Sequence, residues 1–78
     1  METYIHKAMA ELRVMSLRAI QVETARTWAG RACAAAQLGL HHDAVEYSHE
    51  ALEHAALSGS DNVLHEVRAA MRSCGVEL

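Results

Sequence analysis

Apolar residues recur at helical spacing through most of this chain, and the pattern is clearest in its middle. At about 100° per residue, one side of residues 41–57 is small and apolar, whereas the opposite side carries histidines and carboxylates. The apolar side consists of Ala44, Tyr47, Ser48, Ala51, Leu52 and Ala55, and the polar side of His42, Glu46, His49, Glu50 and Glu53. This segment is predicted to form an amphipathic helix with one buried face.

The last third of the chain carries a shorter amphipathic pattern. Ser60 or Asp61 is a suitable N-cap, Arg72 suits the last turn of a helix, and Gly75 suits the position just beyond it. The apolar positions in between are Val63, Leu64, Val67, Ala70, Met71 and Cys74. We expect a helix over residues 61–73 that folds back over the rest as a lid.

The apolar pattern of the first segment, residues 3–38, changes direction along its length. Its N-terminal half has a main stripe and, on the opposite side, a smaller stripe of Val14 and Leu17. The main stripe is Ile5, Ala8, Leu12, Met15, Ala19 and Val22. Beyond Glu23 the apolar residues are Ala25, Trp28, Ala29, Ala32 and Ala35, and this set is rotated by about 120° around the helix axis relative to the main stripe. Either the helix breaks near residues 23–24, or one long helix packs its two halves against different neighbours.

Two apolar stripes on one helix predict contact with a second copy of the chain. Only two further helices are available to cover them, and a chain of 78 residues buries only roughly 60–65% of its unfolded surface by itself. We therefore predict a homodimer that self-associates through Ile5, Leu12, Met15 and Val22.

The composition indicates a single all-α domain over residues 1–78. The chain has no proline and only four glycines, and it is rich in alanine, leucine and glutamate, which favour helices. Gly39 and the Ser-Gly-Ser-Asp sequence at residues 58–61 are the two turn signals. They predict three helices, the first two forming an antiparallel hairpin.

Charge and hydropathy exclude two classes of partner. The net charge is −3, and the seven Lys and Arg residues do not cluster, whereas nucleic-acid binding needs a basic face. No apolar run approaches the ~20 residues of a membrane span, and no apolar signal core follows the first residues. We expect neither direct nucleic-acid binding nor membrane insertion.

The two cysteines, Cys33 and Cys74, are expected to be reduced thiols. Two cysteines without an export signal form no disulfide framework and are typical of a protein from a reducing compartment. The predicted location is therefore cytoplasmic.

One set of side chains on the middle helix has a spacing compatible with a metal site. His42, Glu46, His49 and Glu53 lie at i, i+4, i+7 and i+11, and a Glu-x-x-His sequence is what helical di-iron proteins use. These residues lie opposite the apolar stripe, however, so the alternative is a solvated face with His–Glu contacts one turn apart. His41 and His42 are also expected to cap the preceding helix end, and His54 is expected to be isolated.

Nothing in the sequence predicts an enzyme or a cofactor. Cys33 lies among alanines inside a helix, where a thiol is usually inert, and no serine lies in a Gly-rich elbow. A Gly-rich phosphate loop is also lacking.

Residues 25–58 resemble a tetratricopeptide repeat, a helix–turn–helix unit of about 34 residues. The matching positions are Trp28, small Ala32, Gly39 in the turn, Ala44 and Ala51, and the segment DAVEYSHEALE at residues 43–53 is similar to the second helix of the family. The chain departs from the family at Arg31, Ala35, Ser48 and Ala56, where the family has leucine, tyrosine, phenylalanine and proline, respectively. The likeness covers under half of the chain.

The resemblance implies a protein-binding scaffold without catalysis. One repeat cannot bury both of its faces, which again favours a second chain. Trp28 and Tyr47 are the predicted partner-binding residues, with packing inside the hairpin as the alternative role. We therefore predict an adaptor, chaperone or inhibitor; the alternatives are the metal-binding protein above and an acidic regulator that inhibits a nucleic-acid-processing machine through Glu46, Glu50 and Glu53.

Overall fold

The computed structural model describes residues 2–76, and their side chains from Lys7 onward. It consists of three helices: α1, Glu2–Gln37; α2, His41–Leu57; and α3, Asp61–Ser73. No strand occurs within this range, so the all-α prediction is confirmed. None of the three helices, as far as they are described, is long and apolar enough to cross a membrane.

Helix α1 is continuous through residues 23–24. Thr24 lies inside the helix, where its hydroxyl donates to the carbonyl of Ile20 at 2.8 Å, and it does not act as a cap. Of the two arrangements that the rotating apolar pattern allowed, one long helix is therefore the one observed. At about 1.5 Å per residue, its 36 residues account for most of the 58 Å length of the molecule.

The turn between α1 and α2 depends on Gly39. This residue has φ +76°, in the left-handed region that favours glycine. The amide of Leu40 donates to the carbonyl of Ala35 at 2.9 Å, and the amide of Gly39 donates to that of Ala36 at 3.1 Å. These bonds close the end of α1 and reverse the chain, so that α2 returns antiparallel to it.

The core is made chiefly of small side chains. Alanines let α1 and α2 approach closely, and α3 supplies the larger side chains that cover the pair. The buried apolar residues are Ala25, Ala29, Ala32, Ala35, Ala44, Ala51, Ala55, Val63, Val67, Met71 and Val76. Met71 has the largest fully buried side chain, and its sulfur lies 2.9 Å from Ser48 Oγ, which donates to the carbonyl of Ala44 at 2.6 Å.

A disulfide bond joins Cys33 of α1 to Cys74 at the end of α3. The two Cα atoms are 5.3 Å apart although 41 positions separate the residues in sequence. The expectation of two reduced thiols is therefore wrong. Two cysteines make no recognisable framework in a sequence, and their bond depends on where α3 lies against α1.

An ion pair also links α3 to α1. Arg26 donates to both carboxylate oxygens of Glu66, at 2.8 and 3.3 Å. These hydrogen bonds hold the pKa of Glu66 below its ordinary value, and the pKa of Arg26 is raised in turn. Both side chains are half-exposed, so solvent screens the pair and its effect on stability is small.

The ion pair predicts a specific dependence of stability on pH. Because the folded protein lowers the pKa of Glu66, the pair stabilises the fold above the ordinary carboxyl range and stops doing so as the pH falls through the folded-state pKa. We expect the melting temperature of Glu66→Gln to lie slightly below that of the wild type at neutral pH and to equal it at about pH 2. Thermal unfolding across this range, with exposed Glu53→Gln as the control, checks it; a gap independent of pH would contradict the prediction.

Candidate functional site

The candidate site is a shallow groove on the outer side of the α1–α2 hairpin. It is lined by Trp28, Glu46, Tyr47, His49 and Glu50. Trp28 comes from the second half of α1, and the other four residues come from the middle of α2. The antiparallel return of α2 at Gly39 is what brings the two aromatic residues level with each other.

The two aromatic rings form the floor of this groove. Their centroids are 5.5 Å apart and their planes are inclined by 41°, a tilted contact of the kind that aromatic pairs favour. Both residues are half-buried, so each keeps part of its ring open to solvent. The guanidinium of Arg31, one turn along α1, lies over the Trp28 ring at 4.8 Å from its centroid, within the range of a cation–π contact.

The rim of the groove carries carboxylates on the α2 side. Glu46 and Glu50 are exposed and stand one turn apart, with His49 between them in sequence. His42 lies 3.1 Å from Glu46, and His54 lies 3.8 Å from Glu50. The floor is therefore aromatic, one rim is acidic, and Arg31 is the cation against the indole.

The four residues of the metal hypothesis do not converge. His42 and Glu46 are neighbours, but this pair is strongly exposed. In the part of the chain that is described, no three His, Cys, Asp or Glu side chains come together in a way that could hold a metal ion. The geometry lends the metal hypothesis for His42, Glu46, His49 and Glu53 no support beyond their spacing.

Two expectations about histidines are wrong. His54 is not isolated: its Nδ1 is hydrogen-bonded to Gln21 Oε1, and this contact joins the end of α2 to α1. His41 and His42 are not needed to cap α1, because the backbone amides at residues 39–40 meet its last carbonyls. His42 pairs within α2 with Glu46 instead.

The residues predicted for self-association lie along a second surface, the N-terminal half of α1. Leu12 is 63% exposed and Met15 is 65% exposed. Val22 is partly buried and packs against the core, and the side chain of Ile5 lies outside those described. Further exposed apolar residues on this half of the helix are Met9, Val14, Leu17 and Ile20.

Three of the side-chain contacts that sequence reasoning missed differ in the signal that could have revealed them. The presence of two cysteines in the sequence could have indicated the Cys33–Cys74 bond. The i, i+3 spacing could have indicated the contact of Arg31 with Trp28. The pairing of Arg26 with Glu66 had no signal, because nothing in the local pattern distinguishes these two residues from other surface charges.

Comparison of the chain with protein-family models, with curated proteins and with solved structures gives no match. Its function is therefore argued from the groove and from the exposed half of α1.

Proposed function

We propose that this chain is a small protein–protein interaction module that binds a partner protein in the Trp28–Tyr47 groove and acts as a homodimer, with no catalytic activity and no cofactor. The observation that carries this proposal is the pair of half-open aromatic rings on the groove floor. Partner binding through a groove also fits a role as adaptor, chaperone or inhibitor.

Aromatic side chains suit such a role for a physical reason. Trp and Tyr present large contact areas while losing few rotatable bonds on binding, and they are the residue types most often found as binding hot spots. The carboxylates of Glu46 and Glu50 at the rim favour a partner segment that carries a basic residue next to an apolar one. Inhibition of a nucleic-acid-processing machine would be one form of this binding, since the proteins of such machines carry basic surfaces.

The likeness to a tetratricopeptide repeat supports the same proposal. Ala32, Ala44 and Ala51 occupy the small positions of that family's pattern, and all three are buried between the helices. Where the family has phenylalanine this chain has Ser48, and the sulfur of Met71 fills the space beside it. The lid formed by α3 would thus replace contacts that a following repeat makes in that family.

Affinity capture from the native host, followed by titration of the purified partner, tests the groove. Tyr47→Ala should weaken binding on the order of thirtyfold, as expected for a hot spot of ~2 kcal/mol. Reversal of the rim charges in Glu46→Lys/Glu50→Lys should weaken it further if the partner segment is basic.

The matched control is Glu23→Lys, a charge reversal at an exposed position of α1 that does not line the groove. Circular dichroism of each variant separates a loss of binding from a loss of folding. A partner that binds Tyr47→Ala as tightly as the wild type uses another surface.

The cytoplasmic location stays a prediction. It is inferred from reduced thiols at Cys33 and Cys74, and the disulfide between these residues removes that support. Disulfides persist in oxidising compartments and are rare where glutathione and thioredoxin keep thiols reduced. Trapping of free thiols in intact cells, followed by mass analysis of Cys33 and Cys74, would give the redox state in which the protein works.

A further inference from the structure

The N-terminal half of α1 extends beyond the hairpin. The turn after α2 lies beside α1 at Arg18, where the guanidinium is within 4 Å of the position that a side chain on Gly59 would take. Residues 9–20 are exposed throughout, although eight of these twelve residues are apolar. Its apolar surface therefore has no cover among the described residues.

The apolar stripe on this half of α1 reads almost the same in both directions. Its members are Ile5, Ala8, Leu12, Met15, Ala19 and Val22, at alternating steps of three and four residues. Reversal places Ile5 on Val22, Ala8 on Ala19 and Leu12 on Met15, so that residues of similar shape and size are exchanged. Alternating three- and four-residue steps form the seam of a coiled coil, and this seam is complementary to its own reverse.

Helix α3 shows that this face of α1 accepts a neighbouring helix. Continuing the same steps beyond Val22 leads to Arg26 and Cys33, which bind Glu66 in the middle of α3 and Cys74 just beyond its end. The face that α3 covers in the C-terminal half of α1 is thus the face that is bare in the N-terminal half. A second helix would extend the cover that α3 begins.

The charges beside the seam favour one orientation of that helix. Glu11 and Arg18 flank the seam on the same edge. In an antiparallel pair, Glu11 of each copy lies across from Arg18 of the other copy. This arrangement makes two attractive pairs across the interface. In a parallel pair, by contrast, Glu11 lies across from uncharged Ser16, and Arg18 lies across from Glu23, which already pairs with Arg26 of its own helix at 3.6 Å.

We propose that two copies of this chain associate through the N-terminal halves of α1 as an antiparallel coiled coil, with the two-fold axis between Arg13 and Val14 and the hairpins at opposite ends. The proposal rests on the self-association included in the proposed function and adds its orientation and register. The two Trp28–Tyr47 grooves would then lie at opposite ends of the dimer, available to two partner molecules at once.

Charge reversals at the flanking positions test the orientation. Glu11→Arg alone and Arg18→Glu alone should each raise the dimer dissociation constant on the order of tenfold, because each turns two attractive pairs into two repulsive ones. An equimolar mixture of the two variants should restore wild-type association as a heterodimer, and so should the double variant Glu11→Arg/Arg18→Glu. Sedimentation over a wide concentration series measures all four.

The control is Arg13→Glu, which reverses a charge on the outer side of the helix and should leave association unchanged. Dimers that are insensitive to Glu11→Arg would overturn the antiparallel orientation while leaving the proposed homodimer intact. A wild type that stays monomeric throughout the series would overturn both, without bearing on partner capture by the groove. Circular dichroism confirms that each variant is folded.

Discussion

Reduction of the Cys33–Cys74 bond is expected to lower the free energy of unfolding by about 4 kcal/mol, the value that loop-closure entropy predicts for a crosslink between residues 41 positions apart. The bond closes a loop in the unfolded chain from the C-terminal end of α1 to the end of α3, so reduction returns to the unfolded state the conformational entropy that the crosslink removes. A domain of this size has an unfolding free energy of only several kcal/mol. Much of the stability of the monomer therefore depends on this one bond.

Urea unfolding with and without a phosphine reductant measures the effect. The midpoint should fall markedly on reduction, and the variant Cys33→Ala/Cys74→Ala should resemble the reduced protein in both conditions. This variant is also the control, since the reductant should not alter it. Equal midpoints for the oxidised and reduced wild type would contradict the prediction.

Met71→Ala is expected to destabilise the fold by roughly 2–5 kcal/mol, the range for removing a large buried side chain. Met71 is 1% exposed, and it is the largest fully buried side chain among the described residues. Its loss would open a cavity between α3 and α2 and leave Ser48 Oγ without the sulfur beside it. The core is otherwise made mostly of alanines, which are too small to fill that space.

Two further variants serve as controls for the effect of Met71→Ala on stability. Met71→Leu conserves volume and should cost less than about 1.5 kcal/mol. Leu57→Ala truncates an exposed side chain at the end of α2 and should change stability by no more than about 0.5 kcal/mol. If Met71→Ala were no more destabilising than Leu57→Ala, α3 would not be anchored by this residue.

The helices of this protein could be predicted from local features of the chain. The turn signals at Gly39 and at residues 58–61 separate three helix-rich segments, and each of the two later segments has one apolar face whose alanines, valines or Met71 are buried in the structure. These features depend on residues within a few positions of one another, which is the distance over which helical periodicity and turn chemistry operate.

The candidate site was only partly accessible to the same reasoning. Their residue types and the family likeness predict Trp28 and Tyr47 as site residues, but the contact between their rings depends on the register of the hairpin. The polar face of α2 predicts the acidic rim, whereas the contact of Arg31 with the indole is a finding of the structure. Whether this groove binds a partner is a question for the capture experiment.

The sequence by itself determined the all-α class, the two turns and the faces of the shorter helices. Only the tertiary structure decided that α1 is one unbroken helix and that Cys33 bonds Cys74, Arg26 pairs with Glu66 and Ser48 lies against Met71. These pairs are separated by 41, 40 and 23 positions. Contacts at such separations depend on where α3 packs, and that position results from the shape of the whole core.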